Sequence, residues 1–122
     1  MDVFPLSGMS NATTIHCDEN GYMSIYNSDR YGFNNPDEEW DKKSIKFLLT
    51  GDSFAAGACV NRPHDIASVL RAKTSEGSIT LGYGGNAPLI EYAALKEYVK
   101  KNVNIENIIW LFTEGNDVEG LY

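Results

Sequence analysis

The chain of 122 residues has few of the side chains that build metal sites, since it contains two cysteines and two histidines. Cys17 and Cys59 match neither a metal-binding spacing nor a disulfide framework. His16 and His64 add no cluster of ligands. We therefore expect no bound metal and no disulfide framework.

Basic residues are also scarce, because 10 lysines and arginines stand against 17 aspartates and glutamates, for a net charge of -7. Binding to nucleic acid depends on clustered lysines and arginines that neutralise phosphates. A chain with this balance lacks such a surface. We therefore exclude nucleic acid as a partner.

Long apolar runs are absent, and no stretch approaches the roughly 18 residues that a transmembrane helix needs. The sequence therefore predicts no membrane span. Residues 1–5 have neither the basic region nor the apolar run of a signal peptide. Taken as a genuine start, this N-terminus predicts a cytoplasmic protein. If the chain is a piece of a longer one, the localisation stays open.

What is present is ordinary globular composition, with 43% hydrophobic and 22% charged residues. Residues 1–43 predict an irregular, β-rich lead-in rich in Asn, Asp, Gly and Ser. Within it, Asn20-Gly21 favours a two-residue type I′ turn between strands at 13–17 and 22–26. The acidic run at residues 37–41 is most simply a solvated face.

From residue 44 onwards the pattern is β-α-β-α-β. Continuous apolar runs of this length are typical of strands that are buried on both faces of a parallel sheet. The strands are predicted at 45–49, 78–81 and 108–112, and the helices at 65–73 and 88–102. Residues 44–122 therefore predict an α/β domain with helices on each side of a parallel sheet.

Each predicted helix has an apolar face that we expect to pack on the sheet. In the first helix this face carries Ile66, Val69 and Leu70, spaced i, i+3, i+4. In the second it carries Tyr92, Leu95 and Val99. Both helices are therefore expected to be amphipathic crossover helices.

Polar or glycine-rich loops follow all three strands and carry the candidate site residues. Ser53 follows the first strand, Gly85 the second and Asn116 the third. Because crossovers of about 30 residues place such loops side by side at one edge of the sheet, we expect these residues to converge. The carboxyl edge of a parallel sheet is where ligands bind.

These three residues suit acyl transfer. Such a site needs a nucleophilic hydroxyl, donors aimed at the developing oxyanion and a group that moves the hydroxyl proton. Ser53 is the candidate nucleophile. The N–H groups of Ser53 and Gly85 and the amide of Asn116 are candidate oxyanion donors. We therefore predict a three-donor oxyanion hole around Ser53.

Gly51-Asp52-Ser53, then a glycine-rich loop, then Gly115-Asn116-Asp117, in this order and spacing, resembles the SGNH/GDSL hydrolase superfamily. The resemblance covers residues 44–117 and implies a three-layer, doubly wound, flavodoxin-like sheet. It implies that Ser53 is the nucleophile and that Gly85 and Asn116 are oxyanion residues. The implied substrate is a small-molecule or glycan ester, and the implied activity is ester hydrolysis or acyl transfer through an acyl-enzyme. Residues 28–34 resemble extensions of bacterial members linked to glycan modification, which implies the bacterial envelope as an alternative localisation.

The sequence departs from this family in two ways. Glu114 stands where the third motif usually begins with glycine. The Asp-x-x-His that supplies the family's acid and base is missing, and neither histidine fits that pattern. We therefore expect residues 44–122 to be the first half of a domain that is incomplete at its C-terminus. The missing C-terminal half is an expected partner, and the chain alone is expected to be inactive.

Two other classes of function fit parts of the pattern. Gly82-x-Gly84-x-x-Ala87 meets a relaxed dinucleotide-binding fingerprint, which would indicate a Rossmann-type module. Its ribose-binding acid would have to be Glu106, which lies before its strand rather than at its end. For that reason we favour a site with no cofactor. The other alternative is a non-catalytic binding or scaffold module of the same fold, in which Gly51-Asp52-Ser53 is only a turn.

Overall fold

The computed structural model describes residues 5–99 and 103–121. Its strands are β1 (Thr13–Cys17), β2 (Ser24–Asn27), β3 (Ser44–Gly51), β4 (Ser78–Thr80) and β5 (Asn104–Leu111). Its α-helices are α1 (Ser53–Ala56), α2 (Ile66–Thr74), α3 (Pro88–Tyr98) and α4 (Glu114–Asp117), with 3₁₀ helices at Asp37–Asp41 and Glu119–Leu121. The last residues of the predicted helix 88–102 lie outside the described residues.

The strand β3 lies at the centre of a three-stranded parallel sheet, between β4 and β5. Its residue Leu48 pairs with Ile79 of β4 and with Ile108 of β5. The predicted mixed α/β class with a parallel sheet is confirmed. Because the three strands run in the same direction, the loops that follow them lie at one edge of the sheet.

The core is built around β3, whose Ile45, Leu48 and Leu49 are fully buried. Residues of the lead-in pack into the same core instead of forming one of their own, because Phe33 and Trp40 contact its apolar side chains. The buried cluster contains Phe33, Trp40, Ile45, Leu48, Ile79 and Leu81. The lead-in thus covers part of the sheet.

Strand β5 differs from its prediction in length, and it is only partly covered. It begins at Asn104, earlier than the apolar run at 108–112 indicates, because polar residues of its first half also pair with β3. Its apolar residues on both faces call for cover on each side, and the described part of the chain supplies only some of it. There Ile108 is 49% and Trp110 44% exposed, since no described strand pairs with the outer edge of β5.

The predicted apolar faces of the two long helices are buried only in part, although Leu95 of α3 and Val99 at its C-terminal end pack against the core as expected. On α3, Glu91 and Ala94 are fully buried, whereas Tyr92 is 51% exposed. The side of α3 that points to the protein interior therefore carries Pro88, Glu91 and Ala94, which are three residues apart in sequence.

On α2 the predicted apolar face is also only partly buried, because Ile66 is exposed and Ala67 and Ser68 are buried. The guanidinium of Arg71 donates hydrogen bonds to Oγ of Ser68, at 2.7 Å, and to the backbone carbonyl of Ser78. Because these bonds tie a polar row of α2 to β4, they bring small and polar residues to the interface.

The N-terminal hairpin of β1 and β2 is present, but its turn is not the predicted two-residue turn. Six residues, 18–23, separate the strands, and among them Gly21 has a φ of +76°. The pairing also shifts, because Ile15 opposes Ile25 while Cys17 opposes Ser24. His16 is therefore the extra residue of a β-bulge.

Cys17 and Cys59 form a disulfide bond, so the expectation of unpaired cysteines is wrong. The two residues are 42 apart in sequence and 5.0 Å apart between Cα atoms. No local spacing reveals such a pair, since only the fold brings them together. Hydrogen bonds reinforce the link: Nδ2 of Asn20 donates to the carbonyl of Cys59 at 2.8 Å, and the N–H of Ile25 donates to Oδ1 of Asn61 at 3.0 Å.

Asp29 is a fully buried carboxylate that organises the loop before β3. Its Oδ1 accepts the backbone N–H groups of Tyr31 and Phe33 at 2.8 and 2.9 Å. Its Oδ2 accepts the amide of Asn35 at 2.8 Å and the indole N–H of Trp40 at 2.7 Å. Four donors compensate for the burial of this charge.

The acidic run at residues 37–41 is not simply a solvated face, because Glu39 is buried. Its Oε2 accepts the N–H of Ser78 at 3.1 Å, and its Oε1 lies 2.7 Å from Nζ of Lys42. The neighbouring Glu38 and Asp41 are exposed, as predicted. Glu39 therefore attaches the lead-in to the start of β4.

Candidate active site

Ser53 stands at the first position of α1, directly after the central strand. The preceding Asp52 caps the helix, since its Oδ1 accepts the backbone N–H of Phe54 at 2.9 Å. Gly51 has a φ of +150°, and a Cβ on it would lie 2.7 Å from the carbonyl oxygen of Leu111. The sharp strand-to-helix turn that presents Ser53 therefore requires glycine at position 51.

The glycine-rich loop after β4 lies beside Ser53. A Cβ on Gly84 would be 3.9 Å from Cβ of Ser53, so Gly84 is the loop residue nearest to it in this comparison. Gly85 follows with a φ of +79°, and no atom lies within 4 Å of the position its Cβ would take. Its backbone is thus open to an approaching ligand. The oxyanion role of Gly85 stays a prediction, with Gly84 as the adjacent competitor.

Asn116 lies on α4, after the edge strand, and its side chain points to the Ser53 turn. Its Nδ2 donates a hydrogen bond to Oδ2 of Asp52 at 2.5 Å. An amide nitrogen carries two protons, so one N–H of Asn116 is used by this bond and the second is available to a ligand. The structure therefore brings Asn116 to the carboxylate of the residue that precedes Ser53.

Two backbone N–H groups at the site have no acceptor within the part of the chain that the structure describes. Among the described residues, neither the N–H of Ser53 nor that of Gly85 has a recorded backbone acceptor. Unpaired N–H groups next to a half-buried hydroxyl can bind the oxygen of a ligand. Backbone N–H groups and a side-chain amide such as that of Asn116 are the types of donor that an oxyanion needs.

The other acidic residues of these loops have structural roles. Asp117 is fully buried and its Oδ2 accepts the N–H of Thr113 at 2.5 Å. Asp52 and Asp117 thus both accept backbone N–H groups in their turns. Glu114, which departs from the family pattern, is exposed at the start of α4.

A buried carboxylate that the sequence did not reveal lies beneath the site. Oε2 of Glu91 accepts the indole N–H of Trp110 at 2.6 Å, whereas its Oε1 has no partner among the described residues. Burial raises the pKa of Glu91, and the nearby carboxylates of Asp117 and Asp52 raise this pKa further. Glu91 is three residues from both Pro88 and Ala94, a spacing that could have indicated a shared buried face. Glutamate, however, is rarely fully buried in proteins.

A cavity of about 560 Å³ opens in front of Ser53. Its walls come from the Ser53 turn, the glycine-rich loop and the N-terminal hairpin. They are lined by His16, Cys17, Glu19, Ser53, Phe54, Ala58, Cys59 and Gly84. Sequence reasoning did not place the hairpin at the site, because nothing local in residues 13–27 indicates which loop they cover.

Metal-ligating atoms come together at Cys17, Glu19 and Cys59, within 4.8 Å of one another. The two sulfurs are joined in the disulfide, so neither is a thiolate that could bind a metal. The set therefore does not fit a metal ion while the disulfide is intact. In the described part of the chain, no helix is both long and apolar enough to cross a membrane.

No protein-family model matches this chain, and neither a curated protein nor a solved structure is significantly similar to it. The chemistry of the site therefore has to be judged from its geometry. A serine hydroxyl, free backbone N–H groups and a side-chain amide meet at the carboxyl edge of three parallel strands. Such an arrangement can hold a carbonyl group against a nucleophile.

Proposed function

We propose that the hydroxyl oxygen of Ser53 attacks the carbonyl carbon of an ester, so that the bond to the alcohol breaks, the alcohol leaves with the serine proton and an acyl-enzyme forms. Water or another hydroxyl then attacks the acyl-enzyme, takes the acyl group and returns a proton to Ser53. The activity is ester hydrolysis or acyl transfer, in which the acyl group, such as acetyl, comes from a small molecule or a glycan. The N–H groups of Ser53 and Gly85 and the second N–H of Asn116 bind the oxyanion of the tetrahedral intermediate.

The observation that carries this proposal is the hydrogen bond between Asn116 and Asp52. It holds an amide from the loop after β5 next to the residue that precedes the nucleophile. A turn with only a structural role has no need of an amide from a distant loop at this position. The predicted order of Ser53, glycine loop and Asn116 on adjacent strands supports the same site.

The finer fold belongs to the same proposal. A doubly wound, flavodoxin-like sheet of the SGNH hydrolase type accounts for the central position of β3 and for the position of the site. In this proposal a further segment completes the sheet beyond β5 and supplies the acid and base, as an Asp-x-x-His. The exposed apolar side chains of β5 support a neighbour at that edge.

The disulfide supports an oxidising compartment as the place where the protein functions. Disulfide bonds form and persist in secreted and envelope proteins, whereas the cytosol keeps thiols reduced. The bond between Cys17 and Cys59 therefore favours the bacterial envelope over the cytoplasm in this proposal.

A fluorophosphonate probe tests for a reactive serine. We expect labelling at Ser53 in a longer chain that carries the Asp-x-x-His and loss of labelling in Ser53→Ala. The control is Ser75→Ala, which changes an exposed serine at the end of α2 and should keep full labelling. Absence of label at Ser53 in that longer chain would favour the non-catalytic scaffold. The dinucleotide-binding alternative is tested by titrating a nicotinamide cofactor and following its fluorescence.

A further inference from the structure

The hairpin of β1 and β2 contributes an imidazole to the wall of the cavity that Ser53 shares. His16 lines this cavity together with Ser53 and Gly84. It also lines an adjoining cavity of about 200 Å³ with Tyr83 and Tyr26. His16 thus lines both cavities.

The β-bulge explains why a histidine of the hairpin points here. In a regular strand successive side chains alternate between the faces, so neighbouring residues 16 and 17 would point to opposite sides. The register shift between Ile15 and Cys17 makes His16 the extra residue. Bulges re-aim single side chains and are over-represented next to active sites. As a result His16 and Cys17 line the same cavity.

Within the described ranges, the imidazole of His16 is held in place by packing and makes no hydrogen bond. Its ring contacts Tyr26 edge to face, with 5.4 Å between centroids. Its Nδ1 is buried and has no partner among the described residues. Burial lowers the pKa of His16, which keeps the ring neutral near pH 7. A neutral imidazole has one donor and one acceptor nitrogen, so it can bind a hydroxyl or a carbonyl.

The hairpin is rigidly attached to the rest of the site, so this placement is not that of a loose terminal arm. The disulfide joins Cys17, the neighbour of His16, to the segment between α1 and α2. In addition, the guanidinium of Arg62 donates to the carbonyl of Asn27 at 3.0 Å. A rigid support is what a side chain needs to discriminate between ligands.

We propose that His16 is a specificity-determining residue of the Ser53 site, which hydrogen-bonds a hydroxyl group in the alcohol part of the ester. This inference rests on the proposed function and names the class of substrate that the site prefers. The other groups of the cavity agree with an ester that is both apolar and hydroxylated. Phe54 is 63% exposed beside Ser53 and offers an apolar surface, and Glu19 offers a second acceptor.

Proton NMR of the two histidines tests the contact without requiring turnover. The ligands are 1-acetylglycerol and propyl acetate, which have the same length and differ by two hydroxyl groups. They are added to the Ser53→Ala protein, which cannot form an acyl-enzyme. We expect 1-acetylglycerol to shift the Cε1–H resonance of His16 and to leave that of His64 in place. His64 is exposed and serves as an internal control.

Two variants of His16 separate hydrogen bonding from packing. His16→Phe keeps a ring against Tyr26 but removes both nitrogens, and His16→Gln keeps a donor and an acceptor. The affinity is measured from the shift of the amide resonance of Gly84. We expect His16→Phe to weaken the binding of 1-acetylglycerol about three- to tenfold and His16→Gln to retain most of the affinity. Propyl acetate should bind the Phe variant and the parent protein equally.

Several outcomes would overturn the role of His16. One is that both esters shift the Cε1–H resonance of His16 equally. Another is that 1-acetylglycerol shifts the amide resonance of Gly84 but not the resonance of His16. The third is that neither ester changes any of these resonances at high concentration. Labelling of Ser53 by a fluorophosphonate in the absence of the His16 response would refute this inference and leave the proposed function standing. The His16 response without fluorophosphonate labelling of Ser53 would support a binding site for the ester and would contradict the proposed catalysis.

Discussion

The amide of Asn116 donates to Oδ2 of Asp52 at 2.5 Å, although the two residues are 64 apart in sequence. The same carboxylate accepts the N–H of Phe54 through its other oxygen. Asp52 therefore connects the loop after β5 to the helix that begins with Ser53. The position of the candidate oxyanion donor depends on this residue, which is itself not expected to touch substrate.

We expect Asn116→Ala to lower kcat about 10²- to 10³-fold with little change in KM, because an oxyanion donor acts mainly in the transition state. The measurement is ester turnover by a longer chain that carries the acid and base. Asn107→Ala, which removes an exposed amide of β5, serves as the control and should stay near the parent activity. A large rise in KM with kcat intact would make Asn116 a substrate-positioning residue instead.

We expect Asp52→Asn to lower kcat without large loss of stability. Asparagine also caps helices, so its Oδ1 can still accept the N–H of Phe54. The amide nitrogen of the new asparagine, however, would take the place of Oδ2, which accepts the hydrogen bond from Asn116. Two donors would then face each other. Asn116 would then turn away from Ser53. Kinetics and urea unfolding of the same variant decide the matter: a kcat equal to that of the parent protein would show that Asp52 does not position Asn116.

We expect Glu91→Gln to stabilise the protein at pH 7 and to have little effect near pH 4. Burial raises the pKa of Glu91 in the folded state, so the folded protein holds its proton more tightly than the unfolded chain. Stability is therefore lost as the pH rises from the unfolded pKa through the folded one, at about 1.4 kcal/mol for each pKa unit. Glutamine keeps an oxygen for the indole of Trp110.

Thermal unfolding between pH 4 and pH 8 measures this effect. The control is Glu97→Gln, which changes an exposed glutamate of the same helix. The difference between the Glu91 variant and the parent protein should grow as the pH rises. A constant difference across this range would show that the buried carboxyl group is not the cause.

We expect the double variant Cys17→Ser, Cys59→Ser to lose about 4 kcal/mol of unfolding free energy, which is the chain-entropy value for a closed loop of this length. The two residues are 42 apart in sequence. Urea unfolding of the oxidised protein, the reduced protein and the variant gives the number. Reduction should have no further effect on the variant, and a parent protein that is equally stable with and without reductant would contradict the expectation.

We expect the isolated chain to associate through the exposed edge of β5. Unpaired strand edges with apolar side chains pair with other chains. Ile108→Lys places a charge on that edge and should shift the sedimentation profile towards monomer. Leu89→Lys, at an exposed position on α3, is the matched control and should not. A parent chain that sediments as a monomer at high concentration would contradict this expectation.

The sheet could be predicted from the sequence because its strands are short apolar runs that end in polar loops. Ile45 to Leu49 is such a run, and it lies within the strand β3. The same reasoning brought Ser53 and Asn116 to one edge of the sheet. Patterns of apolar residues work here because each buried strand carries its own run of apolar side chains, whichever strand it pairs with.

What the sequence did not reveal is set by distant contacts. Tyr92 was assigned to the buried face of α3 because its side chain is partly apolar, whereas the helix buries Glu91 instead. The hydrogen bond from the indole N–H of Trp110 reduces the free-energy cost of burying this carboxyl group. Cys17 and Cys59 have no spacing that marks them as a pair. His16 reaches the site only through a bulge, and a bulge depends on how two strands pair rather than on either strand alone.

The central position of β3 also fixes the order in which the protein can fold. Leu48 has to wait for partners about 30 and about 60 residues further along the chain, and such long-range pairing slows folding. During synthesis β3 leaves the ribosome before either neighbour exists. The apolar residues of β3 can be protected in that interval by the lead-in, which has already been made and whose Phe33 and Trp40 belong to the same core. The residues before the sheet would then act as an internal chaperone for its first strand.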